Sequence, residues 1–261
     1  MDSIRPKKRL GQHFLKDKNI AKKIVERLNF NNYDRVIEIG PGKGMLTQFF
    51  SRKKTFYLIE IDKEAVDYLK KRYKYLSKRI IYGDFLKIDL SLIINKKPIA
   101  IIGNFPFNIS SQILFKLLEY KEYIPFLCGM FQKEVAERVC EKCGSKKYGI
   151  ISVLIQTFYE PSFVLDVPPK LFNPIPKVNS KVIELRRKEN ITLPCEEKLF
   201  FKIVKLSFQQ RRKTIRNSLK SLQLGKDITD ASIFDLRPEK LSNSDFIKLT
   251  EIIQNDKISN K

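Results

Sequence analysis

Asn104-Phe105-Pro106-Phe107, directly after the apolar run 98–103, combines a side-chain amide, a proline and two aromatic rings at the end of a strand-like segment. These residue types at this spacing suit the holding of a flat, nitrogen-bearing ring outside its stack. The Asn104 side chain offers an acceptor and a donor, and the backbone carbonyls that follow, directed in part by Pro106, offer further acceptors. Phe107 adds a π-face. An adenine amine pinned between two acceptors is pushed from planar towards tetrahedral nitrogen, which frees its lone pair to attack a methyl group. The same tetrapeptide also fits a plain strand-to-helix turn with buried aromatics, and so short a motif does not separate the two readings.

Upstream residues have the spacing of a nucleoside cofactor site. Arg35–Ile39 reads as a short buried strand, and Gly40-Pro41-Gly42-Lys43-Gly44 follows it before an apolar, helix-like stretch at 45–50. Glycines at such a turn let the backbone approach a ligand, with helix N–H groups facing it. A second strand, 55–61, carries Glu60 twenty positions after Gly40, where an acid can accept from both ribose hydroxyls. A third strand, 79–82, leads to Gly83-Asp84-Phe85. Asp84 can accept from an adenine amine, and Phe85 or Ile61 can cover the ring. A nicotinamide cofactor is disfavoured, because the dinucleotide fingerprint places a third glycine after two intervening residues and position 45 is Met. Asp and Asn also cap helices. Glu60, Asp84 and Asn104 at the ends of successive strands nevertheless point to S-adenosylmethionine, since ligands of open α/β sheets bind at that edge.

These segments resemble the KsgA-type small-subunit rRNA adenine N6-dimethyltransferase family. The resemblance rests on Lys8–Leu15 (KRLGQHFL), Glu38–Gly44 (EIGPGKG), Glu60-Ile61-Asp62, Gly83-Asp84-Phe85, Asn104–Ser110 (NFPFNIS), Pro168–Val178 (PPKLFNPIPKV) and Phe208–Arg216 (FQQRRKTIR), in the family's order across nearly the whole chain. Phe105 and Phe107 stand where the family more often has Leu and Tyr, and His13 where many members have Asn. The resemblance implies a Rossmann-like class I methyltransferase domain followed by a small helical domain. It implies S-adenosylmethionine held by His13, Leu15, Gly40, Glu60, Asp84 and Asn104, with Asn104, Pro106 and Phe107 at the reacting amine. The implied substrate is a pair of adjacent adenosines near the 3′ end of small-subunit rRNA, within an immature subunit. Phe172 either plugs the proline-stiffened loop 169–174 or, as the resemblance favours, lays its ring over the target adenine. As the only histidine, His13 could act as a general base, but the product ammonium loses its proton to water readily, so a cofactor-binding or structural role is expected.

The elements that must position these residues follow from periodicity. Between about 30 and 188, apolar strand runs alternate with helical stretches, which predicts a mostly parallel sheet covered by helices. Helices are expected at 17–29, 62–76, 110–120 and 132–140, and further strands at 126–131, 150–159 and 181–187. Residues 190–194 read as a linker. Beyond them the period is helical, at 196–208, 211–222 and 243–254, with Ser242 as the N-cap of the last. A cofactor domain at 1–189 and a helical RNA-binding domain at 190–261 are therefore expected.

The chain of 261 residues holds 51 Lys and Arg against 29 Asp and Glu, a net charge of +22, which implies a polyanionic partner. Seven cations and no acid lie between Lys202 and Lys220. Arg211, Arg212, Lys213 and Arg216 are expected on one helix that docks RNA through phosphates. Charge runs are also commonly solvated faces. Cys140-Glu141-Lys142-Cys143 has zinc-knuckle spacing but lacks a second ligand pair, so free thiols and no metal are expected. With neither an apolar leader nor a membrane-length run, a cytoplasmic monomer is expected. Three rivals remain: a large-subunit rRNA adenine methyltransferase of the macrolide-resistance type, a DNA adenine methyltransferase, and a non-catalytic ribosome assembly factor.

Overall fold

The computed structural model describes residues 4–189 and 192–259, with side chains through 256. Its strands are β1 (Phe14–Leu15), β2 (Arg35–Ile39), β3 (Thr55–Glu60), β4 (Ile80–Tyr82), β5 (Ile99–Asn104), β6 (Phe126–Gln132), β7 (Tyr159–Val167), β8 (Phe172–Asn173) and β9 (Ser180–Arg187). Seven of them form one sheet in the order β4-β3-β2-β5-β6-β9-β7. Strands β2 to β6 run parallel to their neighbours, and β9 runs antiparallel to β6. The central strands are apolar on both faces, Ile99 to Ile102 being fully buried, as a sheet covered by helices on both sides requires. β1 and β8 form a separate antiparallel pair, with Leu15 opposite Phe172.

Two compact units result. One comprises residues up to Ala136 together with Glu160–Arg187, and the other comprises Glu137–Tyr159 together with the chain from Lys188. Instead of one crossing at 189/190, the chain leaves the first unit, returns and leaves again. The reason lies in Ile150–Phe158. This run of β-branched and apolar residues reads as a buried strand, yet it forms a helix. Periodicity alone does not separate a buried strand from a buried helix. Here Gly149 begins the helix, Ser152 Oγ accepts from the Gly149 N–H at 3.0 Å and donates to the Arg138 carbonyl at 2.5 Å, and Thr157 donates back to the Val153 carbonyl at 2.8 Å. Its apolar sides pack against the helices Glu197–Gln209 and Asn243–Ser259 within the second unit.

The expected helix at 211–222 is broken. Residues 210–213 form a turn, followed by the short helix Ile215–Ser218 and a further turn at Lys220–Leu222. Residues 45–50 likewise make turns with a single 3₁₀ segment, Thr47–Phe49, rather than an α-helix. Ser242 begins the final helix as expected, accepting from the Asp245 N–H at 3.2 Å while Asp245 accepts from the Ser242 N–H at 2.9 Å. Of the expected linker, Asn190 and Ile191 lie outside the described residues. Among the described residues no helix is long and apolar enough to cross a membrane, and no cluster of three or more His, Cys, Asp or Glu could hold a metal.

Candidate active site

The order of the parallel strands reverses beside β2, where β3 lies on one side and β5 on the other. Such a switch point opens a crevice at the carboxyl ends of the strands. Gly40 follows β2, Glu60 ends β3, Gly83 and Asp84 follow β4, and Asn104 ends β5, so four strand ends distant in sequence meet along one edge. Together with Pro106 and Phe107 they line a cleft of about 240 Å³.

The glycine turn is built for close approach. Gly40, Gly42 and Gly44 have φ of +63°, +54° and +75°, which side chains other than glycine rarely adopt. A Cβ at Gly42 would lie 2.7 Å from the Phe14 ring, and one at Gly44 2.7 Å from the Tyr73 ring. Tyr73 also donates to the Gly44 carbonyl at 3.1 Å. Glu60 Oε2 accepts from the Gly42 N–H and Oε1 from the Asp62 N–H, both at 2.9 Å. Burial raises the Glu60 carboxyl above the usual range, and those two N–H groups oppose the rise. Beneath it, Glu38 is only 1% exposed and accepts from the Thr47 hydroxyl at 2.6 Å. Burial pushes its pKa up to about 8, with the nearby Glu60 charge adding to the effect.

An N-terminal strap closes one side. Lys7 Nζ reaches Asp62 Oδ1 at 2.5 Å, Gln12 Nε2 donates to Asp62 Oδ2 at 3.1 Å, and the Lys7 N–H donates to Gln12 Oε1 at 2.8 Å. Burial works to raise the Asp62 carboxyl, but the bonds from Lys7 and Gln12 outweigh it and hold the group below its ordinary value. Asp62 also caps the helix Lys63–Arg72 by accepting from the Glu64 N–H at 3.1 Å. The strap therefore begins at the head of the helix that follows Glu60.

Its other end meets the loop that follows β5. Asn104 Nδ2 donates to the His13 carbonyl at 2.8 Å. A carbonyl can only accept, so this bond fixes the amide: nitrogen faces His13, and Oδ1 is left as an acceptor beside the cleft. The same argument assigns the His13 proton to Nδ1, which donates to the Pro174 carbonyl at 2.8 Å. The His13 ring stacks on Phe107 with centroids 5.0 Å apart and planes 29° apart. Phe107 is only partly buried. The Pro106 carbonyl accepts from the Ile109 N–H at 3.2 Å and keeps a second lone pair. Phe105 turns the opposite way, 1% exposed, over Gly103 and Gly129, which are paired across β5 and β6. A Cβ at Gly129 would come within 2.2 Å of that ring, so two strand glycines make room for the Phe found here.

Two sequence-based expectations need correction. Phe172 is fully buried and belongs to the core under the cleft, its centroid 6.5 Å from Phe107 and its plane inclined by 65°. Pairing of β8 with β1 turns it inward, so its ring presents no face to a base here. Leu15, opposite it in that pair, is 3% exposed, its side chain in the same core. Arg211, Arg212, Lys213 and Arg216 do not share a helix, because the first three lie in the turn before Ile215. Arg211 donates to the Ser145 carbonyl at 3.0 Å, and Arg216 pairs with Asp235 at 2.8 Å and Asp230 at 3.5 Å. Ile215 and Leu219 are buried, as their apolar spacing implied. None of the four cysteines is in a disulfide. Local sequence gave no signal for the Lys7–Asp62 and Glu38–Thr47 pairings, which join residues 55 and 9 positions apart.

The sheet order, the glycine turn and the acids ending β3 and following β4 define a class I, Rossmann-like methyltransferase. Comparison with known proteins narrows this class. Residues 4–255 match the family described as ribosomal RNA adenine dimethylase. The chain is 53% identical over 257 residues to the ribosomal RNA small subunit methyltransferase A of Flavobacterium johnsoniae, covering 98% of each chain. It is 51% identical to the protein of that name from Parabacteroides distasonis, covering 97% of this chain and 96% of the other. Among solved structures, a dimethyladenosine transferase from Plasmodium falciparum superposes with a TM-score of 0.80 at 25% identity, over 94% of this chain and 98% of the other. The 23S rRNA methyltransferase ErmE shares the fold, with a TM-score of 0.65 at 24% identity over 91% of this chain and 99% of the other. The chain belongs to the ribosomal RNA adenine dimethylase family, and it is a methyltransferase of that family.

Proposed function

We propose that this protein uses S-adenosylmethionine to dimethylate the N6 amines of two adjacent adenosines near the 3′ end of small-subunit rRNA, acting as a monomer on the immature subunit. The observation that carries this reading is the Asn104 amide, whose nitrogen is committed to the His13 carbonyl and whose oxygen is therefore an acceptor at the cleft. The high-identity relatives are ribosomal RNA small subunit methyltransferases, which supports the choice of the small subunit.

The cleft suits the cofactor. A turn in which Gly42 admits no Cβ allows close backbone approach to the amino-acid end, beside His13. Glu60, at the end of β3, would accept from the ribose hydroxyls. Asp84 Oδ1 accepts from the Leu86 N–H at 2.9 Å, which leaves the second carboxylate oxygen for the adenine amine. Ile61 and Phe85 line the cleft on either side of that position in sequence. Bound there, S-adenosylmethionine supplies a methyl group on a sulfonium, an electrophile that needs no further activation.

The chain's own part in the reaction is placement. Asn104 Oδ1 and the free lone pair of the Pro106 carbonyl accept the two hydrogens of the target amine and draw its nitrogen towards tetrahedral geometry. Phe107, braced from behind by His13, stacks on the base. Base–aromatic stacking is worth about 1–3 kcal/mol, which offsets part of the cost of unstacking a nucleotide. Fixing the attacking nitrogen in line and excluding water contribute the rest. After transfer, the ammonium releases its proton to water.

Nucleoside mass spectrometry of separated ribosomal subunits, from cells with and without the gene, tests the reading. Loss of N6,N6-dimethyladenosine from the small subunit alone is expected. Its loss from the large subunit instead, or no loss from either, would overturn the proposal.

A further inference from the structure

Lys116 lies in the helix Ser110–Glu119 and is only 6% exposed. Its ammonium donates to three backbone carbonyls of one loop: Phe85 at 2.6 Å, Leu86 at 3.0 Å and Ile88 at 2.5 Å. All three of its donors are thereby used, and Nζ also stands 5.2 Å from the centre of the Phe85 ring. The loop is polarised to match. Its N–H groups turn to Asp84, with Leu86 donating to Asp84 Oδ1 and Lys87 and Ile88 donating to the Asp84 carbonyl at 2.9 and 3.0 Å. Its carbonyls turn the other way, to Lys116. Asp84 therefore gathers the positive end of the turn, and Lys116 gathers the negative end.

We propose that Lys116 is a positioning residue that sets Asp84 and Phe85 to receive the adenine of the cofactor, in the same frame as the amine-holding loop. The helix that carries Lys116 begins directly after Asn104-Phe105-Pro106-Phe107-Asn108-Ile109, and Ser110 Oγ at its start donates to the Phe107 carbonyl at 3.2 Å. One end of this helix thus holds the loop that faces the substrate base, and Lys116, near the other end, holds the loop that faces the cofactor base. A buried ammonium without acceptors is costly, and a single nitrogen bonded to carbonyls of residues 85, 86 and 88 leaves that loop little freedom.

The inference rests on the reading that Asp84 accepts from the adenine amine, and its test separates the two. S-adenosylhomocysteine and S-inosylhomocysteine differ at the base edge that Asp84 would face: the second carries a carbonyl where the first has that amine, and an N1–H where the first has an acceptor nitrogen. Calorimetry should show that the native protein prefers the adenine ligand. In Lys116→Met this preference should shrink by roughly tenfold, the weight of one displaced hydrogen bond to a charged group, while S-inosylhomocysteine binds within about twofold of native. In Lys116→Arg the charge remains, but a planar fork cannot present one nitrogen to three carbonyls, so a smaller loss of preference is expected; this variant carries the test should Lys116→Met not fold. Unchanged preference, or an equal loss of affinity for both ligands, would overturn the role of Lys116. A native protein that binds both ligands equally would instead remove the reading of Asp84, and the inference with it.

Discussion

At Asn104 the chemistry depends on which way one amide faces, and Asn104→Ala removes both of its halves. Methyl transfer should fall by roughly 10²–10³-fold, the range seen when a preorganised polar group at a reacting centre is lost, while RNA affinity stays within a few-fold; single-turnover kinetics and a binding titration check the two together. Glu60→Ala removes a charge-assisted acceptor from the cofactor side, and calorimetry should show S-adenosylmethionine binding weakened by about 1.5–3 kcal/mol; unchanged affinity would take Glu60 out of the site. Glu38 gives a prediction in pH. Its folded pKa, about 8, lies above the ordinary 4.5, so the folded state keeps a proton that the unfolded chain releases. Unfolding is then favoured progressively as pH rises from about 4.5 to about 8. Glu38→Gln can still accept from the Thr47 hydroxyl and does not titrate. Its stability relative to native should therefore increase between pH 5 and pH 8, a trend that denaturant titrations at both pH values would detect.

Among the elements, Asp62 shows how a helix cap can also anchor a distant segment. It satisfies the start of the helix Lys63–Arg72 and at the same time receives Lys7 and Gln12 from the strap that passes His13 to Asn104. Asp62→Ala should lower stability by about 1–2 kcal/mol, the usual weight of a lost N-cap, and should also reduce proteolytic protection of the bonds around residues 7–12, measured by limited digestion. Loss of stability without any change in cleavage would leave Asp62 as a cap alone. Legibility differed among elements for physical reasons. β2, β3 and β5 were readable because parallel strands covered on both faces are nearly continuous apolar runs, and β4, at the sheet's edge with Tyr82 exposed, because Ile80-Ile81 precede Gly83; each is ended here by glycine, an acid or an amide. Gly40, Glu60, Asp84 and Asn104 were therefore locatable at one edge before any coordinates. The helix Ile150–Phe158 was not, since an element buried on most sides has no polar stripe to reveal its period. β1 and β8 are two residues each, too short to carry a pattern, and so the inward turn of Phe172 had no local sign. Lys116 was hidden for the opposite reason: a lysine in an amphipathic helix is ordinarily solvated, and only the folded loop at 85–88 supplies its acceptors.

For the molecule as a whole, the net charge of +22 must meet a polyanion somewhere, and the pairing within the helical unit indicates which of its cations remain for that purpose. Arg216 is neutralised by Asp235 and Asp230, and Arg211 is held to the Ser145 carbonyl. Lys202, Arg212 and Lys213 are exposed; Lys202 lies on the helix Glu197–Gln209, and Arg212 and Lys213 lie in the turn that replaces the start of the helix expected at 211–222. Phosphate contacts fix the register of a nucleic acid without reading its bases, and each one lost should flatten the dependence of binding on salt. Replacing Lys202, Arg212 and Lys213 together by Ala should reduce the slope of log K against log salt by up to about 3 units, taking ~0.9 per phosphate as the guide. Arg216→Ala should change that slope by less than one unit, because its charge is already answered by two carboxylates. S-adenosylmethionine affinity should be unaltered in both variants, since the residues lining the cleft belong to the other unit. A triple variant that kept the native slope would return these three cations to the status of a solvated face. Phosphate contact would then fall to the nine basic residues among the first thirty, whose strap already meets the cleft through Arg9.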